Sequence, residues 1–451
     1  MSCSQRNRWS KNKAVWIRFS CVWQYWRFKM RLQIKTLSPV HIGNGEKYNG
    51  LAYIANRENV LLYDSNKIME NLTTQQKQRF MLWLEQNIGE IERLETQKRK
   101  ERDEEEKRKI NQTLRDAQKK LSLKEFIENS IRDTTTKNKF NNNFLYSVKA
   151  ETKIFSNVDI DCFTKQNNKS YIPGTEIKGG IRTAVAYHLL QDEGHWRYFK
   201  KELENFGNNY RKELQQISGQ KGRWVNDVKK KLTNEMGKIE DTLQNKLFRV
   251  IDKNDAKYDL LKLLHIGDTE LIASINCLFV SNFEVTGISR GFPLFQELCK
   301  KDTVFTCQGF KLENNKTILD KLGFTHEQKW VVSDIKNLLQ CCYEFTDRLL
   351  YEEIGYFSKL NKPKIVSILQ YIMQQNIPTS PIIRIGKNEG YLSLTIGLLV
   401  KDKDKDLYNN VFCHATKNTS YSGNFLKTRR IVNLSNNEQD TLGWVKLIIE
   451  N

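Results

Sequence analysis

"YIPGTEIKGGIRTAVAYHLL", residues 171–190, runs from a strand end through a Pro-Gly turn into a helix whose apolar residues share one face. A strand feeding an amphipathic helix is half of a βαβ unit, so the fold depends on what flanks it. Upstream, "RLQIKTL" after Met30 alternates like a half-buried strand, and "SPVHIGNGEKYNG" is a turn-rich loop. "LAYIANRENVLLYD" then gives two short strands around an Asn-Arg-Glu-Asn turn, and "NFLYSVKAETKIF" returns to strand character. Downstream, "LLHIGDTELIASINCLFVSNFEV" and "DTVFTCQGF" read as strands, with Cys277 inside one of them. Helical stretches follow near 327–352 and 362–376. Next comes "RIGKNEGYLSLTIG" (384–397), a glycine-bracketed loop with an arginine ahead and a β-prone run behind, and last "KTRRIV" and the strand "LGWVKLIIE".

Strands alternating with helices predict an α+β fold of the ferredoxin-like kind, a split βαβ with an antiparallel sheet. A parallel doubly wound fold is disfavoured, because the long helical stretches are not evenly spaced crossovers. Two of those stretches read as insertions. Within 92–109, eight basic and seven acidic residues balance, which marks a solvated helix laced with i,i+4 pairs rather than a polyanion surface. Over 197–249 the count is thirteen Lys/Arg against seven Asp/Glu, a basic bias. The expected division is a basic extension over 1–29, core at 30–65, a charged helical insertion at 66–132, and core again at 133–190. A basic helical insertion at 191–250 and the remaining core at 251–451 complete it.

Residues 1–29 carry seven Lys/Arg, no acid and four of the nine tryptophans. They suit a surface-binding helix or translated upstream sequence, and the second reading is preferred because a well-patterned strand starts straight after Met30. They lack the cleavage pattern of a signal peptide. The whole chain has 73 Lys/Arg against 53 Asp/Glu, a formal +20, which points to a polyanion, nucleic acid above all. No apolar run approaches the ~18 residues of a membrane span. Nine dispersed cysteines without C-x-x-C or Cys/His ligand spacing imply reduced thiols in a cytoplasmic setting and no metal site.

A phosphate loop needs Gly, four residues, then Gly-Lys-Ser/Thr. Gly386 and Gly390 have three residues between them and Tyr391 follows, so that reading fails. "GNGEKYNG" (43–50) places its third glycine too late for a dinucleotide fingerprint. The six histidines form no metal-ligating pattern, and no cofactor is expected. His41, near Lys47, is the one candidate for metal-free RNA cleavage, with Lys178 as its partner. RNA-backbone binding fits better, because four elements combine glycine with basic or hydroxyl groups. These are His41, Gly43, Gly45 and Lys47; Lys178, Gly179 and Arg182; Arg384, Gly386, Lys387 and Gly390; and Lys427, Arg429 and Arg430. Lys178 and Arg182, four apart, share a helix face.

"LSPVHIGNGEKY", "YIPGTEIKGGIRTA", "RIGKNEGYLSLTIG" and "KTRRIV…LGWVKL", in this order, resemble one group of RAMP proteins, the fifth Csm subunit of type III-A CRISPR effector complexes. The resemblance spans most of 30–450 and is weakest over the helical insertions. It implies a RAMP fold on a ferredoxin-like (RRM-like) core. It also implies a non-catalytic RNA-binding subunit at the 3′ end of the CRISPR RNA, touching the backbone RAMP subunit and target RNA, and supporting maturation of the RNA by host nucleases. A metal-independent repeat-RNA endonuclease is the alternative. His41, Gly43 and Gly45 match the family's first glycine loop, and Lys178 and Arg182 its basic helix start. Arg384, Gly386 and Gly390 match its glycine-rich loop, and Lys427, Arg429 and Arg430 its late basic motif. Loop 43–50 offers only Glu46 where the backbone subunit carries its target-cleaving aspartate. Leu394 departs from the pattern, since relatives often carry lysine there, and Lys387 is the expected substitute.

Overall fold

The computed structural model describes residues 30–155, 158–217, 222–250, 255–286, 294–313, 316–415 and 428–450. Residues 1–29 and Lys427 therefore lie outside the described residues.

Six elements taken in chain order form the core: strand Met30–Thr36, helix Gly174–Leu189, strands Leu264–His265 and Val304–Leu312, helix Ile335–Lys359 and strand Trp444–Glu450. In the sheet the fourth strand lies beside the first, then the third, then the second, and every neighbouring pair is antiparallel. That is the ferredoxin-like order expected of a split βαβ. A short strand, Ile382–Arg384, extends the sheet beyond Trp444–Glu450. Alternation in the first strand turns Leu32, Ile34 and Thr36 inward. Ile177, Ile181, Ala184 and Val185 on the first helix join the same core, with Leu338, Phe345 and Leu349 on the second. Each fully buried Leu or Ile contributes roughly 1.5–3 kcal/mol, and Leu32→Ala would cost about 2–5 kcal/mol.

A second, nine-stranded sheet is mixed. Its path runs Gly43–Tyr48, Ile160–Phe163, Phe295–Cys299, Leu278–Val285, Tyr146–Ala150, Asn59–Leu62 and Tyr53–Ala55, with Arg430–Asn433 branching from Leu278–Val285 and pairing in turn with Gln439–Asp440. Two of its pairings are parallel, Phe295–Cys299 with Ile160–Phe163 and Leu278–Val285 with Tyr146–Ala150. Gly43–Tyr48, read from sequence as loop, is thus an edge strand, because pairing with Ile160–Phe163 supplies the hydrogen bonds that its composition does not favour.

Helices Thr74–Lys100 and Glu104–Lys120 form an antiparallel hairpin closed by Leu94, Leu114 and Ala117. Thr73 and Gln76 make a capping box at its start, and Asp103 caps its return. Helical structure continues to Asn142, past the boundary read at 132. Helices Glu193–Ile217 and Arg223–Phe248 occupy the basic stretch. Two further sequence expectations fail. The run after Gly390 forms short helices, Tyr391–Leu394 and Gly397–Lys403, and Cys277 ends a helical turn before its strand. No helix among the described residues is long and apolar enough to cross a membrane.

Candidate nucleic-acid interface

Three of the four basic and glycine elements converge where the two sheets meet. The chain leaves the first sheet at Arg384 and turns over the end of the second. Gly386 makes that turn at φ +91°, and a Cβ there would lie 2.3 Å from the His41 carbonyl oxygen. Only glycine combines that backbone with that approach. The next amide, Lys387 N–H, donates to the same oxygen at 2.8 Å.

Beneath the loop, Lys47, Asp161 and Gln296 form one row on three adjacent strands, because Asp161 is the register partner of both others. Gln296 Nε2 donates to Asp161 Oδ2 at 2.7 Å. Lys387 Nζ reaches the same oxygen from above, also at 2.7 Å. Lys47 Nζ lies 3.8 Å from Asp161 Oδ1 and 3.6 Å from Asp159. Asn388, held at φ +75°, donates to Gln296 Oε1 at 2.9 Å and accepts from the Arg430 guanidinium. A continuous polar chain therefore runs Lys47–Asp161–Gln296–Asn388–Arg430, with Lys387 on its flank. Burial pushes the Asp161 carboxyl up, but the hydrogen bonds from Lys387 and Gln296 outweigh it and hold the group below its ordinary value.

His41 sits under this rim rather than on it. Nδ1 donates to the Glu297 carbonyl at 2.6 Å, which leaves Nε2 as the unprotonated nitrogen, buried and without a hydrogen-bond partner among the described residues. Burial lowers its pKa and keeps the ring neutral. A Cβ at Gly43 would come 2.9 Å from Nε2, so that glycine makes room for the ring. Gly45, at φ +87°, has open space around it where the strand's register shifts between Gly43 and Lys47.

Several other candidates from the sequence lie off the rim. The Arg384 guanidinium is buried: Nε donates to the Leu442 carbonyl at 2.8 Å, Nη1 to Glu353 at 3.2 Å, and the group covers the Trp444 ring. Arg429 is buried as well, donating from Nε to Glu353 at 2.6 Å over the Tyr356 ring. Gly390, at φ +91°, packs between these two arginines. Lys178 Nζ donates to the Leu264 carbonyl at 2.9 Å. Arg182 clasps both oxygens of Asp259 at 3.0 and 2.9 Å and stacks on Phe248. These two cations anchor the helix Gly174–Leu189 to its own core and do not join the rim. Gly179 is exposed with open space where a Cβ would lie, while a Cβ at Gly180 would lie 3.2 Å from Ile383 and 3.3 Å from Ile385. Leu394 is exposed at 60%. His41 and Lys178 are each bonded to a different backbone carbonyl, of Glu297 and of Leu264.

Sequence reasoning missed Asp161, Gln296, Asn388 and Glu353. The available signal was polarity inside buried elements: "FQELC" puts Gln296 and Glu297 in a strand with every residue buried.

The model of the RAMP superfamily matches residues 33–276. A Methanocaldococcus jannaschii protein described as CRISPR system Cms protein Csm5 is 23% identical over 440 residues, covering 93% of this chain and 89% of its own. Among solved structures, a chain of the Csm-crRNA-target RNA ternary complex of a type III-A CRISPR-Cas system aligns with TM-score 0.60 at 21% identity, covering 93% of this chain and 100% of that one. T. onnurineus Csm5 aligns with TM-score 0.58 at 20% identity, over 92% and 99%.

Proposed function

The chain belongs to the RAMP superfamily, and from that premise we propose that it is the Csm5-type subunit of a type III-A CRISPR effector ribonucleoprotein, binding CRISPR RNA without cutting it. It caps the complex at the 3′ region of the RNA, contacts the backbone RAMP subunit and target RNA, and supports trimming by separate nucleases. The observation that carries the reading is the rim itself. Lys47, Lys387 and Arg430 come from three distant parts of the sequence and are aligned by one polar chain at the junction of the two sheets. Lys47 and Lys387 are exposed and Arg430 is half-buried, and cations held in one row suit a phosphate backbone, which carries no demand for sequence readout. The likeness to Csm5 chains over nearly their whole length supports the placement in such a complex. The endonuclease alternative loses its catalytic pair, since His41 is sealed under the rim and Lys178 is bonded elsewhere.

The test is binding of mixed-sequence single-stranded RNA across a salt series. Affinity should fall steeply with salt, with a slope of about −0.7 per phosphate engaged, and show little sequence preference. RNA recovered from native purification should carry a common repeat-derived 5′ tag. No bound RNA at low salt would overturn the reading, and so would RNA cleavage in EDTA that requires His41.

A further inference from the structure

The rim contains a carboxylate where a surface built only for phosphate should have none. Asp161 stands between Lys47 and Lys387, and its side chain retains 15% exposure. Its two oxygens are not equivalent. Oδ2 accepts from both Lys387 and Gln296 at 2.7 Å. Oδ1 makes no hydrogen bond among the described residues and has only the Lys47 ammonium, 3.8 Å away. Lys47 and Lys387 remain 53% and 52% exposed, and an ammonium has three N–H donors, so both keep donors for a ligand.

We propose that Asp161 is the residue by which this rim distinguishes RNA from DNA: Oδ1 accepts the ribose 2′-hydroxyl while Lys47 and Lys387 take the adjoining phosphate. The proposal rests on the reading that the rim binds RNA. A single nucleotide presents both groups, an O–H donor and, one carbon away, an esterified phosphate. An ionised carboxylate only accepts, so it matches the 2′-hydroxyl and repels the phosphate. A deoxyribose leaves that repulsion without a compensating bond. Gln296 holds the carboxylate from the neighbouring strand and Lys387 from the loop, both through Oδ2, so Oδ1 is the oxygen with no hydrogen bond among the described residues.

The test uses the full chain and fluorescence anisotropy with one mixed-sequence single-stranded RNA, its 2′-deoxy version and its 2′-O-methyl version. Hydrogen bonds to charged groups are worth enough for a preference of roughly tenfold for RNA. The 2′-O-methyl strand, which has no O–H, should bind like DNA. In D161A the RNA-to-DNA ratio should fall close to one, by weaker RNA binding and stronger DNA binding together. R430A, which removes a rim cation bonded to Asn388 and not to Asp161, should weaken both strands and keep the ratio. If D161A does not fold, the isosteric D161N decides, and the same fall in ratio is expected. A wild-type chain that binds RNA while D161A or D161N preserves the ratio overturns this inference and leaves RNA binding intact. Equal wild-type binding of RNA and DNA also overturns it. Failure of the wild-type chain to bind any strand overturns the underlying reading.

Discussion

Arg429 donates from Nε to Glu353 Oε1 at 2.6 Å inside the core, and Arg384 approaches the other oxygen of that carboxylate at 3.2 Å. Both arginines immediately precede rim elements, the glycine loop in one case and Arg430 in the other. Glu353 on the long helix thus ties two rim segments to the ferredoxin-like core through one buried charge. Burial pushes its carboxyl up, but the two guanidinium groups outweigh that and hold it below the ordinary range.

Removing this carboxylate takes away the one acid that both buried guanidinium groups bond. Breaking a buried pair in this way costs about 3–5 kcal/mol. E353A should therefore lower the urea midpoint strongly, and E353Q, which keeps the shape and one acceptor, should lie between it and the wild type. An E353A midpoint within error of the parent would mean that the arginines find other partners.

The cations divide into two groups with different expected phenotypes. K387A and R430A should each reduce the salt slope of RNA binding by about 0.7. R182A removes a bidentate clasp on Asp259 and stacking on Phe248, so it should lower stability while leaving the slope unchanged. A salt series on the three variants beside a melting curve separates the two effects. A reduced slope in R182A would return that residue to the interface.

The core was legible because hydrophobic period reports backbone geometry directly: "RLQIKTL" and residues 171–190 each show which face is buried. The mixed second sheet was not legible, since Gly43–Tyr48 has turn composition and becomes a strand only through its partner Ile160–Phe163. Three of the four candidate elements do meet in space. Which of their cations face outward was hidden, because an arginine beside a glycine loop looks the same in sequence whether a phosphate or Glu353 neutralises it. The acids that make this distinction, Asp161 and Glu353, are distant in sequence from the motifs they serve.

Two glycines of the candidate set offer an internal contrast. G386A puts a methyl 2.3 Å from the His41 carbonyl oxygen at a positive φ, so the loop must move. The expected cost is about 1–3 kcal/mol of local stability, with weaker RNA binding. Gly179 lies within a helix with open space beside it, so G179A should be neutral or stabilising by up to about 1 kcal/mol and leave RNA affinity unchanged. Hydrogen exchange of the Lys387 amide, bonded to His41 O in the parent, checks the first case. Fast exchange in G179A as well would contradict the separation.

Two buried acids give the fold a dependence on pH of definite sign. Burial raises Glu389 from 4.5 to about 8, against the opposing field of Arg384, and raises Asp440 from 3.8 to about 7. A carboxyl with a raised folded pKa holds its proton more tightly in the fold than in the unfolded chain. Its contribution is complete below the unfolded value and is lost as pH climbs through the folded one. Stability should therefore decline between pH 4.5 and about 8. Glu353 acts in the opposite sense, because its lowered pKa makes its contribution present above the ordinary value and lost in acid. Urea midpoints measured across this range should fall with rising pH in the wild type. E389Q and D440N, neutral at every pH, should each flatten the decline, with E389Q acting to the higher pH of the two. Curves for E389Q and the wild type that run parallel would show that Glu389 is ionised in the fold throughout.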